Sequence, residues 1–253
     1  MRARHPFFCA HSGNAKRPRK KLRSAGRILQ MKHCNDNIPS RMAETPLFSN
    51  LSDSVRLALA SELNVRILTC EAGELVTHEC RPASEIVCVL EGRLHVYACR
   101  LRDGSRHLVH SLRSGEVYGA SFPVLELANN PGMLAAAEWT RILVCNVERV
   151  RRLVRSCSCP QFISNLYAAA VRQGFHAWRK LALLSCYEIA DRILLHLKWQ
   201  RDAGDAAPVR VSELAAYLGV NRTALYRTVN KLKKVGRVAV AHGEVELLED
   251  GSE

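Results

Sequence analysis

The sequence predicts an α+β protein with an N-terminal antiparallel β-barrel or jelly roll (cupin-like), a long central helix, and two short C-terminal helices followed by a hairpin. Short strand-like segments with turn residues between them, from Val65 to Val147, predict the barrel. Apolar residues at heptad spacing predict the long helix. Two amphipathic segments that meet at Leu218-Gly219-Val220 predict the helix pair.

The barrel is predicted from six strands, at residues 65–70, 86–90, 93–99, 107–112, 133–137 and 141–146. Glycine-containing turns lie between them, as at Glu91-Gly92, Asp103-Gly104 and Ser114-Gly115. Cys88 and Cys145 fall within apolar strand segments, so we expect both thiols in the core. Such a barrel has room for a small ligand.

The C-terminal segment, residues 209–248, has the pattern of a winged helix-turn-helix. Ser212 is predicted to cap the first helix, and Gly219 suits the left-handed residue that ends it. The second helix has an apolar side at Leu225, Val229 and Leu232, and its opposite side is polar and basic. A helix that enters the major groove needs donors and acceptors for base edges and positive charge for phosphates. The predicted DNA-binding residues are Ser212, Asn221, Arg222, Thr223, Tyr226, Arg227 and Lys231.

The long helix is predicted to form a dimer. Its apolar residues alternate between spacings of four and three, which is typical of the seam of a two-stranded coiled coil. Packing on the chain's own barrel is the alternative. The predicted seam consists of Ile163, Tyr167, Ala170, Gly174, Ala177, Leu181 and Leu184.

The positive charge of the chain is concentrated at its N-terminus. Residues 1–41 hold eleven Lys or Arg and one Asp, a net +10 out of the formal +13 of all 253 residues. Global charge is therefore weak evidence for DNA binding. Three interpretations of this tail stay open: a disordered basic arm, translated upstream sequence with the start at Met31 or Met42, or a specific function.

The predicted domains are a basic, disordered tail (1–41), an effector-sensing barrel (42–150), a dimerisation helix (151–185) and a DNA-binding domain (186–253). Ten cysteines without a C-x-x-C pair predict reduced thiols, and no metal-ligating set is predicted. No segment has the pattern of a secretory signal or a membrane span, so we expect a cytoplasmic protein.

Barrel, long helix and winged helix-turn-helix in this order resemble the Crp/Fnr family of bacterial transcription regulators. The resemblance covers roughly residues 46–248. The matching segments are Gly73-Glu74-Leu75-Val76, IVCVLEGRLHVY at 86–97, LRSGEVYGA at 112–120, residues 189–197 and the helix-turn-helix. It implies a dimer that binds double-stranded DNA under the control of a small effector, and it leaves contact with RNA polymerase open.

The resemblance also implies roles for single residues. Asn221, Arg222, Thr223 and Arg227 match the DNA-reading positions of the family's recognition helix, with Asn221 expected to cap the helix. Thr223 and Tyr226 depart from the residues common there, which predicts an unusual operator. By analogy, the effector pocket is lined or flanked by Tyr118, Gly119, Ala120, Ser121 and Trp139.

The cofactor is unknown at this stage, although the resemblance argues against two effectors. Cyclic-nucleotide members have a Glu where Ala120 stands and an Arg-Ser or Arg-Thr pair where residues 130–133 run. Iron–sulfur members need an N-terminal cysteine cluster, and only Cys9 and Cys34 precede the barrel. An uncharged organic ligand suits the apolar pocket residues. No ligand at all, or heme bound by one of His78, His95, His107 and His110, stays open.

Two functions of other kinds compete with DNA binding under effector control. A redox-responsive regulator would use the close pair Cys157 and Cys159. A regulatory module whose helix-turn-helix binds protein would not bind DNA. The sequence contains no paired catalytic carboxylates, nucleophile elbow or phosphate loop, so we do not expect an enzyme.

Overall fold

The computed structural model describes residues 32–33, 37–77, 84–99, 106–125, 132–202 and 208–248. In chain order the barrel region holds β1 (Lys32–His33), α1 (Ile38–Ala43), a 3-10 turn (Pro46–Phe48), α2 (Asp53–Glu62), β2 (Arg66–Cys70), β3 (Leu75–Thr77), β4 (Glu85–Glu91), β5 (Arg93–Cys99), β6 (Arg106–Arg113), β7 (Val117–Tyr118), α3 (Phe122–Leu125), β8 (Met133–Ala136) and β9 (Thr140–Asn146). The helical part holds α4 (Val147–Ser156), α5 (Pro160–Ser185), α6 (Ile189–Asp202), β10 (Val209–Arg210), α7 (Val211–Leu218), α8 (Arg222–Lys234), β11 (Val238–Ala241) and β12 (Glu244–Leu247).

Two antiparallel sheets form the barrel, in the strand orders β1-β2-β9-β4-β7 and β3-β8-β5-β6. All six predicted strands are present, with ends within one residue of the prediction. The prediction missed β1, β3 and β7, which have only two or three residues each. The α+β class is confirmed. The predicted turn Asp103-Gly104 lies outside the described residues.

The barrel core is filled by aliphatic side chains of both sheets and by three phenylalanines, Phe48, Phe122 and Phe162. Cys88 and Cys145 are fully buried in it, as predicted. Burial raises the pKa of Cys88 to about 12 and that of Cys145 well above its usual value. Because the thiolate is the reactive form, these two thiols are structural rather than reactive.

Part of the segment predicted as a disordered tail is ordered. Lys32 and His33 pair with β2, and α1 begins at Ile38. Met42 is fully buried, and Arg41 pairs with Glu44 and Glu91. The predicted boundary at residue 42 therefore falls inside a helix, because Met42 belongs to the barrel core. The rest of the predicted tail lies outside the described residues.

Helix α5 is 26 residues long and packs along the barrel. At its N-terminal end Phe162 contacts Phe48, with 5.3 Å between ring centroids. The Asn165 amide donates to the carbonyls of Leu47 and Ser49, at 3.2 and 2.8 Å. At the other end, Leu183 is buried in a second core formed by α6, α7, α8 and the hairpin. One helix thus joins the two cores. No described helix is both long and apolar enough to cross a bilayer.

Replacing Gly92 by alanine should destabilise the chain more than replacing Gly115. Both residues have φ near +83°, which costs an L-residue about 1–2 kcal/mol. A Cβ at Gly92 would lie 2.4 Å from the backbone oxygen of Trp139, whereas a Cβ at Gly115 would meet nothing within 4 Å. We expect G115A to lower the free energy of unfolding by about 1–2 kcal/mol and G92A to lower it further. Equal denaturant midpoints would contradict this.

Candidate nucleic-acid interface and effector pocket

The turn between α7 and α8 has the geometry of a helix-turn-helix. Gly219 ends α7 in the left-handed conformation at φ +66°. Asn221 caps α8, since its side-chain oxygen accepts a hydrogen bond from the Thr223 backbone N–H at 2.8 Å. The cap satisfies one of the free N–H groups of the first turn and fixes the direction in which α8 leaves.

Burial of one side of α8 determines which side faces outward. Leu225, Val229 and Leu232 are buried against α6 and α7. The residues predicted to contact DNA from this helix are therefore exposed together: Arg222, Thr223, Tyr226, Arg227 and Lys231. Tyr226 is 47% exposed although it is aromatic. The outward side of α8 thus carries hydrogen-bonding and cationic groups that do not take part in packing the core.

The basic residues at the two ends of α8 have opposite effects on the stability of the helix. Lys231, Lys233 and Lys234 lie in the last turn, where cations interact favourably with the helix dipole. Arg222 lies at the first position of the helix, where a cation costs a few tenths of a kcal/mol to about 1 kcal/mol. Helix stability therefore does not explain the arginine at position 222.

Ser212 does not cap α7, in contrast to the prediction. The helix begins at Val211, two residues earlier than predicted, and Arg210 occupies the N-cap position without a side-chain hydrogen bond. The reason is the short strand β10, which pairs with β12 and brings the Val211 N–H to the Gly243 carbonyl at 3.0 Å. Strands β11 and β12 form the predicted hairpin through a turn at His242-Gly243, where both φ angles are positive.

The helix-turn-helix lies against the barrel, an arrangement that sequence patterns did not indicate. Helix α7 contacts β6, and Arg93 pairs with Glu213 at 3.1 Å. The Lys180 ammonium lies 3.9 Å from the centre of the Tyr217 ring and donates to the Leu108 carbonyl at 3.4 Å. Burial in this contact lowers the pKa of Lys180 to about 8. Ser212 and Arg222 both border the cleft between α7 and the barrel.

The residues predicted for the effector pocket differ in their burial, and their assignment to a pocket stays a prediction. Tyr118, Gly119 and Ala120 are buried, and Tyr118 packs edge-on against Phe122 at 5.3 Å. Burial raises the pKa of Tyr118. Ser121 is half-buried, and Trp139 is exposed on the surface beside Arg141. Tyr118 and Ala120 belong to the barrel core. Residues 126–131 lie outside the described residues.

Two cavities that share lining residues lie between the barrel and α5. The smaller has a volume of about 90 Å³ and is lined by Pro46, Glu116, Gln173 and His176, among others. The larger has a volume of about 370 Å³ and extends between α5, α6 and α7, where Arg93, Arg179, Gln200 and Tyr217 line it. His110, Glu116 and His176 border both. These cavities are the candidate effector site of the described chain.

Three titratable side chains, His110, Glu116 and His176, line both cavities and lie close to one another. The Glu116 carboxylate lies 3.5 Å from Nε2 of His110 and 3.3 Å from Nε2 of His176. Burial acts to raise the pKa of Glu116, but His110, the Arg113 backbone N–H and His176 outweigh it and lower this pKa. Burial and the neighbouring His110 lower the pKa of His176. Sequence analysis considered His110 alone and missed the cluster, which no local spacing reveals.

The residues predicted for dimerisation divide between two faces of α5. Ile163 and Ala170 are half-buried and pack against the barrel core. Tyr167, Gly174, Ala177, Leu181 and Leu184 are exposed. The structure adds three large apolar residues to this exposed side, Val171, Phe175 and Trp178, which are 50–57% exposed. We call this side the outer stripe of α5.

Cys157 and Cys159 connect α4 to α5. Cys157 ends α4 in the left-handed conformation, and Cys159 precedes the first residue of α5. Both are free thiols, Cys157 exposed and Cys159 half-buried. The hypothesis that this pair responds to oxidation stays a prediction.

Comparison with known proteins agrees with this architecture. No family model matches the chain. The chain is 28% identical over 212 residues to the cyclic AMP receptor protein of Thermus thermophilus, which covers 82% of the chain and 94% of that relative. It is 26% identical over 189 residues to the nitrogen fixation regulation protein FixK of Bradyrhizobium diazoefficiens, over 70% of the chain and 76% of the relative.

A solved structure of a CooA variant from Carboxydothermus hydrogenoformans has the same fold, with a TM-score of 0.61 and 17% identity, over 87% of this chain and 95% of that one. Shared fold and the sequence similarity to two regulators agree with the winged helix-turn-helix and the barrel described above. The comparisons thus relate the chain, in sequence and in fold, to transcription regulators of the Crp/Fnr family that its motifs resemble.

Proposed function

We propose that this regulator binds a specific, near-palindromic DNA site as a homodimer and that a small effector other than a cyclic nucleotide controls its affinity. The exposed polar face of α8, held by the Asn221 cap and the buried Leu225 and Val229, is the observation that carries the proposal. In this proposal Arg222, Thr223 and Arg227 contact bases or phosphates, and Tyr226 and Lys231 flank them.

The outer stripe of α5 supports the dimer. Tyr167, Val171, Trp178 and Leu181 follow the spacing 4-7-3 along one side of the helix and are 54–71% exposed in the single chain. A continuous apolar row of this kind is energetically favourable only when another surface covers it. Gly174 lies in the middle of the row, and a Cβ there would contact nothing within the chain. A glycine in a helix interior costs about 1 kcal/mol, which close approach of a second α5 offsets.

The buried Ala120 supports an effector other than a cyclic nucleotide. In the resembling family a glutamate at this position binds the ribose, and here the site holds a methyl group in the barrel core. One relative is named for its binding of cyclic AMP, but this chain lacks the side chain that would accept the ribose hydroxyl. A ribose hydroxyl that is buried without an acceptor loses the hydrogen bonds it makes to water and gains none from the protein, which is unfavourable.

Contact between α7 and the barrel supports a mechanism in which the DNA-free state is docked. The first helix of a helix-turn-helix crosses the DNA backbone. Here Ser212 and Arg222 face barrel residues that include His95 and Arg106 across the cleft. A duplex would need this space, so DNA and the barrel compete for α7. An effector that weakens the docked contact would raise DNA affinity by population shift.

Replacing Arg222 by alanine tests direct readout. We expect a loss of about 1–3 kcal/mol, or roughly 5- to 150-fold in Kd, on a site selected from random DNA. The matched control is R152A, which removes an exposed arginine from α4 and should leave Kd unchanged. An equal loss on random DNA would refute base readout by Arg222. No binding of the unaltered chain to any duplex would instead favour a protein-binding module.

Replacing Leu181 by glutamate tests the dimer. Leu181 and Leu57 are both 64% exposed in the single chain, so a charge costs little at either position in a monomer. In the proposed dimer only Leu181 becomes buried, where an unpaired carboxylate is costly. Sedimentation equilibrium should show a monomer for L181E and a dimer for L57E. Two variants with the same mass would argue against α5 as the interface.

Reversing the charge of Glu213 tests the docked state. The Arg93–Glu213 pair is partly exposed, so its loss should shift the docking equilibrium by about 0.2–1 kcal/mol. We expect E213R to bind DNA up to about fivefold more tightly without effector. Because arginine at 213 also adds positive charge, the decisive comparison is the double reversal R93E/E213R, which should return Kd toward that of the unaltered chain. If the double variant binds as tightly as E213R, docking does not control affinity.

A further inference from the structure

The inner side of α5 changes character halfway along the helix. Residues on this side recur at spacings of four and three. The first three are buried and apolar, and the next three are polar: Phe162, Leu166 and Ala169, then Gln173, His176 and Lys180. A helix that only packs on a barrel would continue with apolar residues. The polar stretch lies against the barrel where His110 and Glu116 stand.

His110, Glu116 and His176 have the chemistry and spacing of a metal-ligand set. Two imidazoles and one carboxylate form the donor set of open zinc sites and of non-heme iron sites. The Glu116 oxygen lies 3.5 Å from Nε2 of His110 and 3.3 Å from Nε2 of His176. Ligands about 2.0–2.1 Å from a tetrahedral ion are about 3.3 Å apart. All three ligand atoms lie within 4.8 Å of one another.

Unsatisfied polar atoms at this place indicate that the side chains alone do not complete the site. Nε2 of His110 is buried and makes no well-formed hydrogen bond to a described residue, since its ion-pair partner, Oε1 of Glu116, lies at 3.5 Å. Oε1 of Gln173, which lines the same cavity, is likewise without a partner in the described part of the chain. Such atoms cost about 1–3 kcal/mol each when nothing binds them. An ion-pair cluster would not explain the open acceptor of Gln173.

The Glu116 carboxylate is also held in place. Its second oxygen accepts a hydrogen bond from the Arg113 backbone N–H at 2.7 Å. Partners of this kind orient ligating carboxylates in metal sites. The rings of His110 and His176 are 4.4 Å apart and inclined by only 30°, so both present an edge nitrogen toward Glu116.

We propose that His110, Glu116 and His176 bind one divalent first-row transition ion, best matched by Zn²⁺, with a fourth position open to water in the cavity. Arg172 also lines this cavity, and its charge opposes the ion. Binding is therefore weaker than in a closed structural zinc site. The ion would satisfy Nε2 of His110 and fix α5 to the barrel.

Metal binding would act on the DNA-binding unit through β6, and this step rests on the proposed function. His110 lies on β6, the strand that contacts α7, and the Leu108 carbonyl on the same strand accepts from Lys180. Two ligands come from the barrel and one from α5, so the ion changes the spacing of these elements. The metal is thus the effector class that the proposal assigns to this site.

The experiment titrates Zn²⁺ and Co²⁺ into the full chain after chelator treatment, by calorimetry and visible absorption. We expect one ion per chain at this site. H176A and H110A should each bind the ion at least about 10- to 100-fold more weakly than the unaltered chain. Removing a residue that only hydrogen-bonds to a metal ligand already causes a loss of this size, and these variants remove a ligand itself. The control H107A removes an exposed histidine from the same strand and should bind normally. Circular dichroism of H176Q distinguishes lost metal binding from lost folding, because a folded variant that does not bind the ion has lost only the ligand.

Several outcomes would overturn the site. One is the absence of saturable binding, which leaves an ion-pair cluster only. A second is an equal effect of H107A and H176A. A third is Co²⁺ absorption with thiolate charge transfer, which would place the ion on cysteines. A gel shift with and without Zn²⁺ tests the effector role separately: unchanged affinity overturns that role, while loss of all DNA binding with the ion bound counts against the proposed function instead.

Discussion

Helix α5 contributes side chains to both hydrophobic cores. Phe162, Leu166 and Ala169 are buried in the barrel core, and Leu183 is buried in the core of the helix-turn-helix unit. Close-packed interiors transmit strain. Because α5 is packed into both cores, a shift of this helix along the barrel would act on the start of α6, and with it on the position of α8. The arrangement of the DNA-binding surface depends on this one helix.

Contacts beyond the cores make the connection tighter at the C-terminal end of α5. Trp178 lies 6.3 Å from Trp199 of α6, and Arg179 stacks on both Phe175 and Trp199. Trp178 also belongs to the outer stripe. The outer stripe and the surface packed on α6 thus share one aromatic residue, so in the proposed dimer a contact at Trp178 would act on the position of α6.

Local patterns in the sequence were sufficient for most of the fold. Strands β4, β5 and β9 were predicted closely because apolar β-formers lie between glycine turns, and α8 because Asn221, Leu225 and Val229 fix its start and its buried side. The seam of α5 stays a prediction, because two apolar rows run along this helix. Alanines such as Ala170 fit either row by spacing, and in the single chain Ala170 packs against the barrel core.

The candidate sites show where local patterns stop. The residues proposed to face DNA lie mostly on one short helix, so periodicity groups them. Glu116 and His176 are 60 residues apart along the chain, and Arg93 and Glu213 are 120 residues apart. No spacing rule links such pairs. The effector-pocket prediction rests on analogy with the resembling family, and burial of Tyr118 and Ala120 in the core does not test it.

The polar half of the inner side of α5 has a mechanical consequence. Separating Phe162 and Leu166 from the barrel would expose apolar area at about 25 cal/mol per Å². Separating Gln173, His176 and Lys180 would mostly replace protein contacts by water at polar groups that water solvates well. Separating the N-terminal half of α5 from the barrel therefore costs more free energy than separating the C-terminal half. Because the helix-turn-helix follows the C-terminal end of α5, a small binding free energy is sufficient to change its position relative to the barrel.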